Sequence, residues 1–316
     1  MAAYSAKVVI VGAGAVGTTF AYALQIHGAA REIVLIDMDH KRAEGEALDL
    51  SHGGFFTPPV NIRAGDYQDC AGADVVAICA GAKQKPGQSR LDLVETNVAI
   101  CKTIVEKVVR HTTESVLLVA TNPVDVLTYA ALKFSGLPAS RVIGSGTVLD
   151  SARFRHLLSR HCGIDARNVH AYVLGEHGDS EVIPWSLVNL AGMEMDDYCR
   201  ACPRKCSDVN RQRIAEQVRT SAYHVIEAKG ATNFAVGLAL LKITTSIIRN
   251  ENSSLTVSTL LDGQYGIKDV CLSLPAILNS AGVDRLICPK LTETEQAELE
   301  SSAAVIKETQ HGVALL

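Results

Sequence analysis

Residues 7–17 read Lys7-Val-Val-Ile-Val11-Gly12-Ala-Gly14-Ala-Val16-Gly17. After Lys7, the next four form an apolar, β-branched run without polar alternation, and the five read as a strand buried on both faces. The run breaks into G-x-G-x-x-G and passes at once into an Ala-rich helical stretch over 15–27. A second strand, Ile33-Val-Leu-Ile36, then ends in Asp37, twenty residues past Gly17. Strand, glycine turn, helix, strand and acid in that order match a dinucleotide site, and each part has a physical task. Gly12 makes the tight turn, Gly14 lets the backbone approach a pyrophosphate, and Gly17 lets the helix pack on the strand. The helix start offers unpaired N–H groups to the phosphates. Asp37 accepts hydrogen bonds from a ribose 2′-hydroxyl and repels a 2′-phosphate, which selects NAD over NADP. Val16, inside the motif, and Gly81, after the next strand, complete the expected cofactor contacts.

Working outward, residues 75–79 and 116–119 are further apolar strands. Between them Leu91, Val94, Val98, Cys101, Ile104, Val105 and Val108 recur at helical spacing. Continuous apolar strands separated by helices predict a parallel sheet covered on both faces, with ligands at the strands' carboxyl ends. The second half opens near Gly144-Ser-Gly146. There the pattern predicts helices over 148–162, 210–229, 232–249 and 292–310, a strand over 170–173, and a strand pair around Asp262-Gly263. The expected fold is α/β: a Rossmann-type doubly wound parallel sheet over 1–145, then an α+β substrate-binding domain over 146–316. No Pro/Gly/Ser linker separates them, so both should pack as one body.

Composition removes several function classes. With 316 residues, 47% apolar and 20% charged, the chain is neither disordered nor fibrous. A net charge of −4 argues against general affinity for nucleic acid or anionic membrane. The longest apolar candidate for a membrane span, 235–248, carries Lys242 and several hydroxyl residues and reads as a buried helix. The start lacks the cationic segment of a signal peptide. The nine cysteines are therefore expected as reduced thiols in a cytoplasm. Cys199, Cys202 and Cys206, spaced C-x2-C-x3-C, lack a fourth ligand at matching spacing, so no metal is expected.

Four polar stretches stand at expected strand ends or helix starts. They are the Gly- and cation-rich segment from Gly81 through Gln84 to Arg90, Thr121-Asn122-Pro123, Asp150-Ser-Ala-Arg153, and Gly175-Glu-His177-Gly-Asp179. The motifs G-A-G-A-V-G, Q-K-P-G-Q-S-R, T-N-P-V-D, L-D-S-A-R-F-R and G-E-H-G-D-S run colinearly from Lys7 towards the C-terminal helix. In this set and order the chain resembles the L-lactate/malate dehydrogenase superfamily, and within it the bacterial L-lactate dehydrogenases. The resemblance implies that His177 is the proton donor and acceptor, since imidazole titrates near neutrality. It implies that Asp150 holds the other ring nitrogen, and that Arg153 grips the substrate carboxylate with its two-pronged guanidinium. Arg90, on a closing loop, would polarise the reacting carbonyl, and Asn122 would hydrogen-bond there or orient the nicotinamide.

Substrate choice turns on Gln84. The resemblance implies that an arginine at this loop position pairs with the distal carboxylate of oxaloacetate. A neutral glutamine leaves that charge unpaired in a dry site and suits a methyl group. Lys83 and Lys85 flank Gln84 and are read as solvent-facing. With Thr232 as the other wall, the expected substrate pair is pyruvate and L-lactate. The family likeness also implies a homotetramer and, through Arg155 and His170, a fructose 1,6-bisphosphate activator site across a subunit interface. Arg155 lies two residues past Arg153, roughly 200° around a helix, and so should not share its substrate. Alternatives are malate dehydrogenase, another L-2-hydroxyacid dehydrogenase, an NAD-dependent glycosidase with a metal site, or a non-catalytic NAD-binding protein.

Overall fold

The computed structural model describes residues 6–82, 90–202, 204, 206–313 and 315, with Arg90 described in its backbone only. The first half runs β1 (Lys7–Val11), α1 (Ala15–His27), β2 (Glu32–Ile36), α2 (His40–His52), β3 (Asn61–Ala64), β4 (Val75–Ile78), α3 (Arg90–Val108), β5 (Val116–Val119), α4 (Val124–Ser135) and β6 (Val142–Gly144). The second half continues with α5 (Val148–Cys162), β7 (Val169–His170), β8 (Asn189–Leu190), β9 (Met193–Glu194), α6 (Met195–Ala201), α7 (Asp208–Lys229) and α8 (Phe234–Ile248). It closes with β10 (Ser253–Asp262), β11 (Lys268–Asn279), β12 (Gly282–Leu286) and α9 (Glu293–Gly312).

β1 to β6 pair in parallel in the order β3-β2-β1-β4-β5-β6, the doubly wound arrangement expected from the sequence. Alternate strand residues serve opposite cores, which is why the strands read as unbroken apolar runs. Val8, Ile10, Ile33 and Leu35 pack with Phe20 and Leu24 of α1 and Leu240 and Ile243 of α8. Their neighbours Val9, Val11, Val34 and Ile36 enter the opposite core with Ile104 and Val105 of α3 and Leu127 of α4. Each fully buried Ile, Leu or Phe of this kind contributes about 1.5–3 kcal/mol relative to exposure. The strand order reverses between β1 and β4, and that opening is where ligands of such sheets bind.

The sheet does not stop at β6. β10 pairs antiparallel with it at Ser258 and Gly144, and β11 and β12 extend the sheet to nine strands. The two halves of the chain therefore share one sheet. The hairpin around Asp262-Gly263 forms as expected, and Gly263 turns it at a φ of 117°.

One expected strand is much shorter. Only Val169 and His170 join a ladder, with β8. Beyond them the backbone is claimed by side chains instead: Val173 N–H donates to Ser151 Oγ at 2.9 Å, and the Thr147 hydroxyl donates to the Val173 carbonyl. Caps set the helix starts, moving α7 two residues earlier and α9 one residue later than expected. Asp39 accepts from Arg42 N–H ahead of α2, Ser207 caps α7, and Thr292 forms a reciprocal capping box with Glu295 ahead of α9. Among the described residues no helix is long and apolar enough to cross a membrane.

Candidate active site

Gly12 takes a φ of 109°, and a Cβ there would stand 2.5 Å from the Ala80 nitrogen, so only glycine fits between β1 and β4. At Gly17 a Cβ would collide with the Gly12 carbonyl oxygen. Gly14, the N-cap of α1, behaves differently, because a Cβ there would meet nothing within 4 Å among the described residues. Among the described residues no side chain caps α1, and its first turn carries no acid. The cradle, open among the described residues, therefore fits a dinucleotide: backbone N–H groups and the positive end of the helix are placed to meet its phosphates. Val16 is half-buried behind this turn. Asp37 is held at the end of β2, its Oδ2 accepting from Ala13 N–H at 2.8 Å and its Oδ1 from Asp39 N–H at 3.0 Å. Its carboxylate thus stands beside the glycine turn, as expected.

The ends of β4 and β5 form the next wall. Thr121 Oγ1 donates to the Ala80 carbonyl at 2.8 Å, and a Cβ at Gly81 would strike Thr121 Cγ2. Asn97, buried on α3, accepts from Ala82 N–H at 2.7 Å and donates to the Asn122 carbonyl at 3.0 Å. Gly81 and Asn122 are thereby fixed as neighbours, with Asn122 exposed at the strand end. Sequence reasoning missed Asn97; a lone asparagine among the apolar positions of α3 was its signal.

The chemical centre lies where α5 meets the loop after β7. Asp150, in the first turn of α5, is 2% exposed and engages two cations at once. Its Oδ2 lies 2.6 Å from His177 Nδ1, and its Oδ1 accepts from Arg153 Nη1 at 2.6 Å. One carboxylate thus aligns the imidazole and the guanidinium side by side. Arg153 uses a single donor for this contact, and its fork has further N–H groups for an anion.

His177 is pinned from three directions. Gly175 and Ser273 of β11 exchange backbone hydrogen bonds of 2.9 and 3.0 Å, Glu176 N–H donates to Ser302 Oγ of α9 at 2.9 Å, and His177 N–H donates to Asp125 Oδ2 of α4 at 2.8 Å. Burial pulls the imidazole pKa down. The charge and hydrogen bond of Asp150, aided by the charges of Asp125 and Glu181, outweigh burial and raise it to about 9. Burial pushes the Asp150 carboxyl up, yet His177 and Arg153 hold it below the ordinary carboxylate range. The pair therefore sits as imidazolium and carboxylate at neutral pH. Glu181 was not expected from the sequence. It is 4% exposed, its Oε1 has no hydrogen-bond partner among the described residues, and burial followed by the charge of Asp150 pushes its pKa up to about 8.

Of the remaining expected residues, Thr232 is half-buried in the α7–α8 loop. That loop is tied to the cofactor helix by Asn233 Nδ2 donating to Thr19 Oγ1 at 2.9 Å. Gln84, with Lys83 and Lys85, lies outside the described residues, as does the side chain of Arg90, whose backbone opens α3. Arg155 points away from Arg153, as the helical angle requires. Its Nε donates to the Ala171 carbonyl at 2.8 Å, and its guanidinium lies 5.2 Å from the Tyr172 ring centroid. His170, the residue before Ala171, is exposed. Arg155 also borders a cavity of about 330 Å³ shared with Tyr172, Leu238 and Lys242.

All nine cysteines are free. Folding brings Cys162 and His161, at the end of α5, to the same small cavity as Cys199, Cys202 and Cys206, company that sequence spacing did not reveal. Among the described residues no three His, Cys, Asp or Glu side chains are placed to hold a metal ion.

A dinucleotide cradle across the strand ends from a carboxylate-held imidazolium defines a nicotinamide-dependent oxidoreductase. Comparison with known proteins agrees. Residues 6–144 match the lactate/malate dehydrogenase NAD-binding domain, and residues 147–314 match the alpha/beta C-terminal domain of the same family. The chain is 52% identical to an L-lactate dehydrogenase of Acetivibrio thermocellus over 302 residues, covering 96% of this chain and 95% of that one. It is 52% identical to L-lactate dehydrogenase 1 of Clostridium acetobutylicum over 303 residues, covering 96% and 97%. Among solved structures, a lactate dehydrogenase from a deep-sea metagenome library superimposes with a TM-score of 0.96 at 45% identity, covering 98% of this chain and 99% of that one. The ligand-bound minor L-lactate dehydrogenase of Enterococcus mundtii gives 0.95 at 42%, with the same coverage. The chain belongs to the lactate/malate dehydrogenase family and uses NAD.

Proposed function

We propose that this chain is a cytoplasmic L-lactate dehydrogenase that interconverts pyruvate and L-lactate, with residues 1–145 holding the cofactor and residues 146–316 the substrate. The observation that carries this reading is Asp150, bonded at 2.6 Å to both His177 and Arg153. That arrangement suits a small 2-oxo acid, whose carboxylate and carbonyl oxygen need a guanidinium and a proton donor side by side. Arg153 takes the carboxylate in a two-pronged contact. His177, charged at neutral pH, gives its Nε2 proton to the carbonyl oxygen as negative charge develops there. Asp150 stabilises the imidazolium beforehand and keeps Nδ1 protonated, so that Nε2 faces the substrate. Arg90 polarises the carbonyl from the loop, and Asn122 binds at the carbonyl or the nicotinamide.

Gly12, Gly14, Val16, Gly17, Asp37, Gly81 and Asn122 line the cofactor site. NADH bound there supplies the hydride that reduces the keto carbon. In the reverse direction His177 must be neutral to accept the hydroxyl proton, so lactate oxidation should gain as pH rises towards 9 while pyruvate reduction declines.

Gln84 and Thr232 are assigned the pocket for the substrate methyl group. Arg155, bonded to the Ala171 carbonyl, and exposed His170 are assigned fructose 1,6-bisphosphate, held between subunits of a homotetramer. NADH oxidation with pyruvate, oxaloacetate and 2-oxoisocaproate, with and without the bisphosphate at pH 6, tests both assignments. Pyruvate should be the preferred substrate, and its half-saturation should fall when the bisphosphate is added. Gln84→Arg should raise oxaloacetate turnover relative to pyruvate by orders of magnitude. An unchanged preference refutes the pocket, and superimposable pyruvate curves refute the activator site.

A further inference from the structure

We propose that Asp125 is a positioning residue for the reaction, its buried carboxylate clamping the His177 backbone to the start of α4 and so setting the imidazole against the Asn122 edge of the cofactor site. The inference rests on the role given to His177 above. Asp125 is 1% exposed in the first turn of α4, three residues after Asn122. Its Oδ2 accepts from His177 N–H at 2.8 Å across 52 residues of sequence. That is its one hydrogen bond to this loop. Burial pushes its carboxyl up to about 6, while the Ser258 hydroxyl of β10, the His177 N–H and the imidazolium charge favour the carboxylate. A buried carboxylate carrying one backbone bond is a costly structural device, because a neutral side chain would bridge the same gap. What a neutral side chain lacks is charge beside the imidazolium.

Two consequences separate this role from simple packing. The clamp joins α4, which also carries Asn122 at its entrance, to the loop that carries the proton donor. Loss of the clamp should therefore misplace the ring without touching the dinucleotide turn at Gly12–Gly17. The charge of Asp125 also adds to that of Asp150 in favouring protonated His177 against burial, with Glu181 joining them only once it ionises near 8; Glu176 is a further acid beside Asp125, and Arg153 is a cation on the same Asp150 carboxylate. Removing only the charge should shift His177 while keeping it in place.

The test compares Asp125→Asn with Asp125→Ala in the full-length enzyme. His177 protonation is read by diethylpyrocarbonate labelling against pH with peptide mapping, which needs no substrate. Turnover of pyruvate, NADH binding by fluorescence and thermal unfolding are measured alongside. The introduced amide oxygen can still accept from His177 N–H, so Asp125→Asn should keep kcat within about threefold while its labelling midpoint moves to lower pH. Asp125→Ala should lose on the order of 10²-fold in kcat with NADH affinity retained, the penalty of a small displacement of a reacting group. Wild-type kcat in Asp125→Ala overturns the proposal. So does equal damage in both variants with an unmoved labelling midpoint, which would mark Asp125 as packing alone. A wild-type enzyme that fails to reduce pyruvate would refute the substrate assignment, while the labelling midpoints still decide whether Asp125 acts on His177.

Discussion

Asp150→Asn is the most informative single change, because its effect should grow with pH in a calculable way. Burial lowers the His177 imidazole, yet Asp150 above all overcomes it and raises the group from 6.5 to about 9. That rise favours the imidazolium by roughly 3 kcal/mol, at 1.36 kcal/mol per unit. With residue 150 neutral, burial, the largest influence on the ring, is opposed only by the weaker pull of Asp125 and Glu181, so the imidazole falls back at least to its ordinary 6.5, and that value sets the smallest effect expected. At pH 7 the protonated fraction then drops from nearly all to about a quarter, roughly a fourfold loss. At pH 9 it drops from about half to about 1 in 300, roughly a 150-fold loss. Any misorientation of Arg153, which shares the same carboxylate, adds a factor that does not vary with pH. The assay is kcat/KM for pyruvate reduction from pH 6 to pH 10 in both enzymes. The ratio of wild type to variant should climb by more than an order of magnitude between pH 7 and pH 9, and the variant's alkaline limb should begin at or below the ordinary imidazole value of 6.5. A constant ratio across that range would refute the claim that Asp150 governs His177 protonation and would leave it a purely geometric clamp.

The glycine turn predicts a contrast between neighbours. Gly14→Ala should leave the melting temperature nearly unchanged, since its Cβ meets nothing, yet raise the NADH Kd tenfold or more. Gly12→Ala should lower the melting temperature by several degrees through backbone collision and a φ of 109°. Equal melting losses in the two would contradict this account of the turn. Glu181→Gln should raise stability at pH 8 more than at pH 5. A buried acid raised to about 8 keeps its proton in the folded state, so folding loses free energy as pH rises from its ordinary 4.5 towards 8, and glutamine removes that loss. Differential melting at the two pH values checks it, and a pH-independent difference would count against it. Asp37→Ser should improve NADPH use relative to NADH by at least tenfold, and loss of its contacts to Ala13 and Asp39 should cost about 1 kcal/mol each. An unaltered cofactor ratio would remove Asp37 from its role.

The parallel core and its cofactor end were written in local sequence. Short-range periodicity and the geometric demands of glycine are local properties, so the stretch from Lys7 to Asp37 carried its own structure and its own ligand preference. α5 was equally legible, with Asp150 and Arg153 one turn apart on a helix that begins and ends where its apolar pattern does. What local pattern did not contain was the way side chains compete for backbone. The expected strand over 170–173 fails because Ser151 and Thr147 take its hydrogen bonds, and those residues lie more than twenty positions away. The extension of the sheet through β10 depends likewise on a pairing between Gly144 and Ser258 that no window of sequence spans. The electrostatics of the site were decided at the same level. Histidine was readable as a group able to titrate, but its protonation state depends on three carboxyl groups brought from α4, α5 and its own loop into a setting with little water. Charge interactions gain strength only when distance shrinks and solvent leaves, and both happen on folding rather than along the chain.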